Sequence, residues 1–309
     1  MAKKSNDVAP VRSTLTLSAS EGMPASHGTW RSGLVPAALA LVAVVAISVP
    51  EARAQVFSRP KGNASTIEAK FAEPKVTEIP EEVIKKFKLD TSFYKKHVDY
   101  KGFSIMSSAK VSDAGLLEAR YLIDKLLNER EDIIKAMIKT GCRFMVMAPT
   151  EMTTDVPEQR HLKNDPKTNW DTRARGLGGK LSSCGEENLL NLQGDRYRQE
   201  NILIHEFNHA IHQQGLRIVD PTFNGRLKKA YDNAKATGLW KGTYLMENPA
   251  EYWAEAAQAY FDCMRPQFGA NTREKLEKYD PDLFKLVDEV YKQSSYRYVR
   301  YDQRMKSKQ

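Results

Sequence analysis

The sequence predicts an α+β fold, on three observations. Two short stretches, 143–148 and 187–192, have strand composition. An amphipathic helix precedes the first, and an almost unbroken run of helical patterns follows Asp195. Few strands followed by several helices is the order expected of an α+β domain, not of alternating βαβ units.

The chain has 309 residues, and its first 54 read as an address and not as part of the fold. Arg31 precedes an uncharged run, 33–49, rich in Ala, Val and Leu; Pro50 and Ala52-Arg53-Ala54 close it. Positive flank, apolar stretch and small residues at minus three and minus one make a secretory signal cleaved after Ala54. The alternative is an uncleaved anchor, since about 17 apolar residues lie at the lower limit for spanning a bilayer. A secreted or periplasmic protein is therefore expected, or a membrane-anchored one if cleavage fails. Removing 1–54 takes away five Lys/Arg and three acids and lowers the formal charge from +8 to +6. The charges are interleaved, so a solvated surface is expected and no nucleic-acid partner.

Residues 55–110 are polar, with Pro60, Pro74 and Pro80 spaced through them, and read as a linker or irregular N-terminal wrap. Residues 111–309 form the expected domain. Ser112 can cap a helix that Gly141 ends, with Leu116, Ala119, Ile123, Leu126, Ile133 and Met137 at helical spacing. Pro149 ends the first strand, and Gly194-Asp195 bounds the second. Helices are expected at about 196–214, 221–237, 249–263, 273–278 and 281–292, three of them beginning at a proline and two closed by Gly215 and Gly238.

Within the first of these helices stands His205-Glu206-Phe207-Asn208-His209, the form His-Glu-x-x-His. Positions four apart share a helix face, so both imidazoles can hold one zinc ion. Glu206, about 100° round the helix, can reach a water beside it. The bland reading is a histidine pair on an ordinary amphipathic helix. His212 lies on the next turn and reads as structural. No further His follows at the spacing of the longer zinc signature, so a third ligand falls to a carboxylate. Glu251 and Glu255 are four apart on one helical face, and one can bind the metal while the other holds a ligating His through its free ring N–H. Asn248-Pro249-Ala250-Glu251 is also a good capping box, which would explain Glu251 without a metal.

These residues resemble the gluzincin peptidases, and within them the group of the anthrax lethal factor catalytic domain and the Pro-Pro endopeptidases. The resemblance covers about 188–263. It implies a zincin-like fold, a small mixed sheet packed on helices with the His-Glu-x-x-His helix at the cleft. It further implies zinc held by His205, His209 and Glu251, a base at Glu206, Glu255 behind a ligand, and a peptide or protein substrate. Tyr244, seven residues before Glu251, matches a tyrosine that stabilises the oxyanion; without the resemblance it reads as a loop tyrosine. Asn208 departs from the small residue usual at its place. The implied substrate-bearing edge strand is 187–192. Activity would then be that of a secreted zinc metalloendopeptidase with no membrane partner after cleavage, the alternative being a zinc-binding surface module without catalysis.

Cys142, Cys184 and Cys263 lack Cys-x-x-Cys spacing. Cys184 precedes the expected substrate strand and Cys263 ends the expected Glu251 helix; since both elements should flank the metal, a Cys184–Cys263 disulfide is expected, with Cys142 a buried thiol in its strand. The segment 170–179 is Gly- and Arg-rich but lacks the Lys-Ser/Thr ending of a phosphate loop, and is expected to shape the cleft wall. The Tyr- and Arg-rich tail 296–304 reads as a C-terminus packed on the surface.

Overall fold

Lys101 and Gly102 both have positive φ, 51° and 87°, the requirement of a two-residue hairpin turn, and the Asp99 carboxylate accepts from Gly102 N at 3.0 and 3.1 Å. This turn joins β2 (Tyr94–Tyr100) to β3 (Phe103–Ser108), after β1 (Thr77–Glu78). A computed structural model describes residues 73–291 and 294–307, and the expected signal segment 1–54 lies outside them. Within the described part, 55–110 is not a linker or irregular wrap, because β2 and β3 are sheet strands and every residue of β3 is buried. The Lys, His and Asp side chains of β2 hid the strand pattern, although Tyr94, Val98 and Tyr100 point inward. Among the described residues no helix is long and apolar enough to cross a membrane.

The remaining strands are β4 (Arg143–Met147), β5 (Gly176–Leu177) and β6 (Leu181–Gly185), and the sheet order is β1-β2-β3-β4-β6-β5. The pairs β3–β4 and β4–β6 are parallel and the others antiparallel, so the sheet is mixed and β5 forms one edge. The β3–β4 crossover contains two helices, Asp113–Leu127 and Glu131–Lys139, where the sequence suggested one. Ser112 caps the first, its hydroxyl accepting from Gly115 N. The break falls at polar 128–130, where Arg130 leaves helical geometry (φ −123°, ψ 58°) and its guanidinium engages Asp132 and the Val290 carbonyl.

Expected strand 187–192 is instead a helical turn, Glu186–Leu189, followed by loop. Its Leu residues suggested a strand, but its polar side chains turn inward to bond. Glu186 accepts from Ser112 N at 2.9 Å, Glu187 pairs with Arg175, and Asn188 Oδ1 accepts from Ile202 N at 2.7 Å. Asn188 Nδ2 also reaches the Tyr197 and Glu200 carbonyls, which holds 196–200 as a turn and delays the next helix to Ile202.

That helix, Ile202–Ala210, is capped by Asn201, whose side chain accepts from Ile204 N at 2.9 Å; it continues as a π-helical turn, Ile211–Leu216, and then Arg217–Val219. Phe207, fully buried, meets Phe103 and Phe144 of the sheet edge-on at 5.6 and 5.9 Å. Two residues from either His, it lies on the opposite side of the helix; burying it, worth about 1.5–3 kcal/mol, rolls both imidazoles away from the sheet. Helices Phe223–Thr237, Pro249–Tyr260, Arg273–Tyr279 and Pro281–Tyr291 complete this layer. The other sheet face carries a smaller core of Leu89, Tyr94, Met106, Met145, Met147 and Val156. The C-terminal segment packs down, Arg304 pairing with Glu118 at 2.5 Å over the Tyr121 ring.

All three cysteines are free thiols and buried, so the expected Cys184–Cys263 disulfide is not formed. The expectation rested on a strand at 187–192 that does not exist. Cys184 ends its approach inside β6, near Arg175 and Glu187, whereas Cys263 lies beside Asn201 and Glu200. Burial pushes both thiols well above their usual range and Cys142 up to about 12, so all three act as small apolar core residues.

Candidate metal centre

His205 and His209 point Nε2 to Nε2 at 3.2 Å, one turn apart on the same helix. Glu251 comes from the first turn of the Pro249–Tyr260 helix. There Asn248 Oδ1 accepts from Ala250 N and Glu251 N at 2.9 and 3.1 Å, and Pro249 occupies the first helical position. With the cap made by Asn248, the Glu251 carboxylate is free to face the imidazoles: Oε2 is 3.2 Å from His205 Nε2 and 3.3 Å from His209 Nε2. The two helices are locked by Trp253 Nε1 donating to the Asn208 carbonyl at 3.0 Å. Asn208, the departure from the motif, fills its place with bonds, donating to the Ile204 carbonyl and accepting from Tyr291 Oη at 2.7 Å.

Three ligand atoms separated by 3.2, 3.2 and 3.3 Å fit zinc. A tetrahedron with metal–ligand bonds of 2.0–2.1 Å has edges of about 3.3–3.4 Å, and two imidazoles with one carboxylate is a donor set that suits zinc and leaves one position open. Among the described residues this is the cluster able to hold a metal ion.

The charges around it favour a cation. Burial alone would lower the His205 imidazole, but its hydrogen bond with Glu251 and the charges of Glu206, Glu251 and Glu255 outweigh burial and lift it to about 10. Burial alone would raise the Glu251 carboxyl, yet His205 and His209 hold it well below the usual carboxylate range. Glu206, partly exposed to the cleft, is raised by burial against the pull of both histidines, which suits a proton acceptor. Tyr244 opens the short turn Tyr244–Met246, its ring 6.4 Å from that of His205. Burial, then the Glu251 and Glu206 charges, push its phenol far up, so it remains a proton donor.

Glu255 is fully buried behind His205, 3.8 Å from Nδ1, and forms an ion pair with Arg265 at 2.9 Å. The closer neighbour of Nδ1 is Gln258 Oε1, at 3.3 Å. His212 stays apart, bonded to Asn224 at 2.7 Å and edge-on to Phe223.

Sequence reasoning missed Gln258 and Arg265, and it reached Gly176 and Gly178 only through the segment 170–179 expected to shape the cleft wall. A helical-face count would have found Gln258, since 251, 255 and 258 share one face. Edge strand β5 lies directly on the helix that carries His205 and His209. A Cβ on Gly176 would stand 2.6 Å from Ile202 Cγ2 and 3.0 Å from Glu206 Cγ, and one on Gly178 would stand 2.5 Å from His209 Cβ. Only glycine permits this approach. Arg175, directly before β5, is buried and forks onto Glu187 at 2.5 and 2.9 Å while donating to the Ala148 and Glu151 carbonyls. The Gly- and Arg-rich segment thus forms a wall of the site.

No protein-family model matches the chain, and no curated protein matches it. Among solved structures it is similar to the PRO-PRO endopeptidase (PPEP-2) from Paenibacillus alvei, at 18% identity and a TM-score of 0.44, over 62% of this chain and 97% of that one.

Proposed function

We propose that the chain is an exported zinc-dependent endopeptidase, acting on peptide or protein substrates. The observation that carries this reading is the convergence of His205, His209 and Glu251 within 3.3 Å of one another, on helices that also carry Glu206 into the cleft. A zinc ion held by these three residues supplies Lewis-acid polarisation of a substrate carbonyl and makes water a stronger acid. Glu206 accepts the proton of the attacking water and later returns it to the leaving amine; burial raises its carboxyl and makes it a stronger base than an exposed glutamate. Tyr244 donates its phenol hydrogen to the oxygen that gains charge.

The outer edge of β5 replaces 187–192 as the substrate strand. Beyond β5 the sheet has no further strand among the described residues, and Gly176 with the following Gly178 brings the backbone against the helix of His205 and His209. An extended peptide adds there by backbone pairing. The test is digestion of a peptide library blocked at both ends: internal cleavage that stops on chelation is expected. Zinc uptake without cleavage of any peptide would favour the non-catalytic binding module instead.

The pH dependence of metal binding follows from His205. In the metal-free chain its imidazole stays protonated until about pH 10, so zinc at pH 7 must displace about one proton. Apparent affinity is therefore expected to rise with pH across the neutral range and flatten above about 10. Calorimetry in buffers of different ionisation enthalpy measures the released proton, and an enthalpy independent of buffer would contradict it.

A further inference from the structure

Gln258 is fully buried, two turns beyond Glu251 on the same helix. Its Nε2 lies 3.0 Å from the Asn201 carbonyl and 3.4 Å from Glu200 Oε2. A backbone carbonyl only accepts, so the amide nitrogen must face Asn201 and the amide oxygen must face the other way, independent of how the two amide atoms are assigned. That oxygen lies 3.3 Å from His205 Nδ1. It too only accepts. In the neutral ring, Nδ1 therefore carries the hydrogen and the lone pair falls on Nε2, the atom that faces His209 and Glu251.

Glu255 is placed differently. At 3.8 Å from Nδ1 it is beyond hydrogen-bond distance, and its Oε1, the oxygen nearest the ring, accepts from Arg265 at 2.9 Å. Arg265 is in turn 3.4 Å from Glu200, the carboxylate that also receives Gln258. The guanidinium thus holds Glu255 back from the imidazole, and the amide takes the place at Nδ1.

We infer that Gln258, not Glu255, is the residue that positions His205 for metal binding, by orienting the ring and fixing its tautomer through an amide pinned to the Asn201 carbonyl. The inference deepens the zinc reading above and rests on it. A partner at the far nitrogen of a liganding His is commonly worth 10–100-fold in metal affinity.

The test compares the full chain with Gln258→Met, similar in volume but without the acceptor, and with Glu255→Gln. Zinc Kd is measured by competition with a chromophoric chelator, and the imidazole N–H of His205 by nitrogen-edited NMR of the zinc-loaded protein. Gln258→Met is expected to raise Kd about 10–100-fold, Glu255→Gln less. The Nδ1–H signal should be protected from exchange in the parent and exchange-broadened in Gln258→Met. A Kd for Gln258→Met within about twofold of the parent, or a larger rise in Glu255→Gln, overturns the inference while leaving the zinc reading intact. A parent that takes up no zinc overturns both. Should Gln258→Met fail to fold, the parent spectrum decides: an Nδ1–H exchanging as freely as in a solvent-exposed imidazole overturns the role given to Gln258.

Discussion

Glu206→Gln is expected to lower kcat/KM by about 10²–10⁴-fold while zinc content stays at the parental level. The side chain keeps its size but cannot take a proton, and it is not among the three atoms that converge on the metal position. With zinc kept saturating at every pH, the same variant should lose the acid limb of the pH–rate profile. In the parent, activity falls as pH drops through the Glu206 carboxyl, which burial holds above its ordinary value. Steady-state rates on one cleaved peptide, with zinc measured on the same samples, check both parts. A variant as active as the parent would remove Glu206 from the mechanism.

The second large effect is on stability. Arg175 and Glu187 are 6% and 9% exposed, and their forked pair ties β5 to the turn after β6. Arg175→Met leaves the Glu187 carboxylate buried without its partner and strips donors from the Ala148 and Glu151 carbonyls. Breaking a buried pair from one side costs about 3–5 kcal/mol, a fall in Tm of roughly 10 °C for a domain of this size. The double variant Arg175→Met, Glu187→Leu should recover part of the loss, because no charge is then left unpaired. Thermal unfolding of the single and double variants measures this, and an unchanged Tm in Arg175→Met would contradict it. Because Gly176 follows directly and rests on Ile202 and Glu206, the single variant should also loosen the cleft wall.

How much of this was legible depended on whether a residue's role is local. The pairing of His205 with His209 could be read because helical periodicity alone places them together; Asn248-Pro249 announces the start of the helix that carries Glu251 and Glu255, but the residues alone left the choice between those two carboxylates open. Asn201, which starts the helix of His205 and His209, was hidden by the polar turn before it, held by Asn188 from nine and twelve residues away. The β2–β3 hairpin was overlooked because Lys95, Lys96 and Asp99 dilute its alternation, although Lys101-Gly102 supplied the turn. The strand expected at 187–192 failed for the opposite reason: its leucines are apolar, but Glu186, Glu187 and Asn188 are buried by partners distant in sequence. The disulfide fell with that strand. Gln258 could be placed on the right face by counting, but its bond to Asn201 depends on how two helices meet, which periodicity does not give.

The most direct test of the account is the metal content of the purified chain after zinc loading and removal of free ion, measured by elemental analysis beside Glu251→Ala. About one equivalent per chain is expected for the parent and a large loss in the variant, since that variant removes one of three converging ligands. Less than about a tenth of an equivalent in the parent, or full retention in Glu251→Ala, would contradict a zinc centre built from His205, His209 and Glu251.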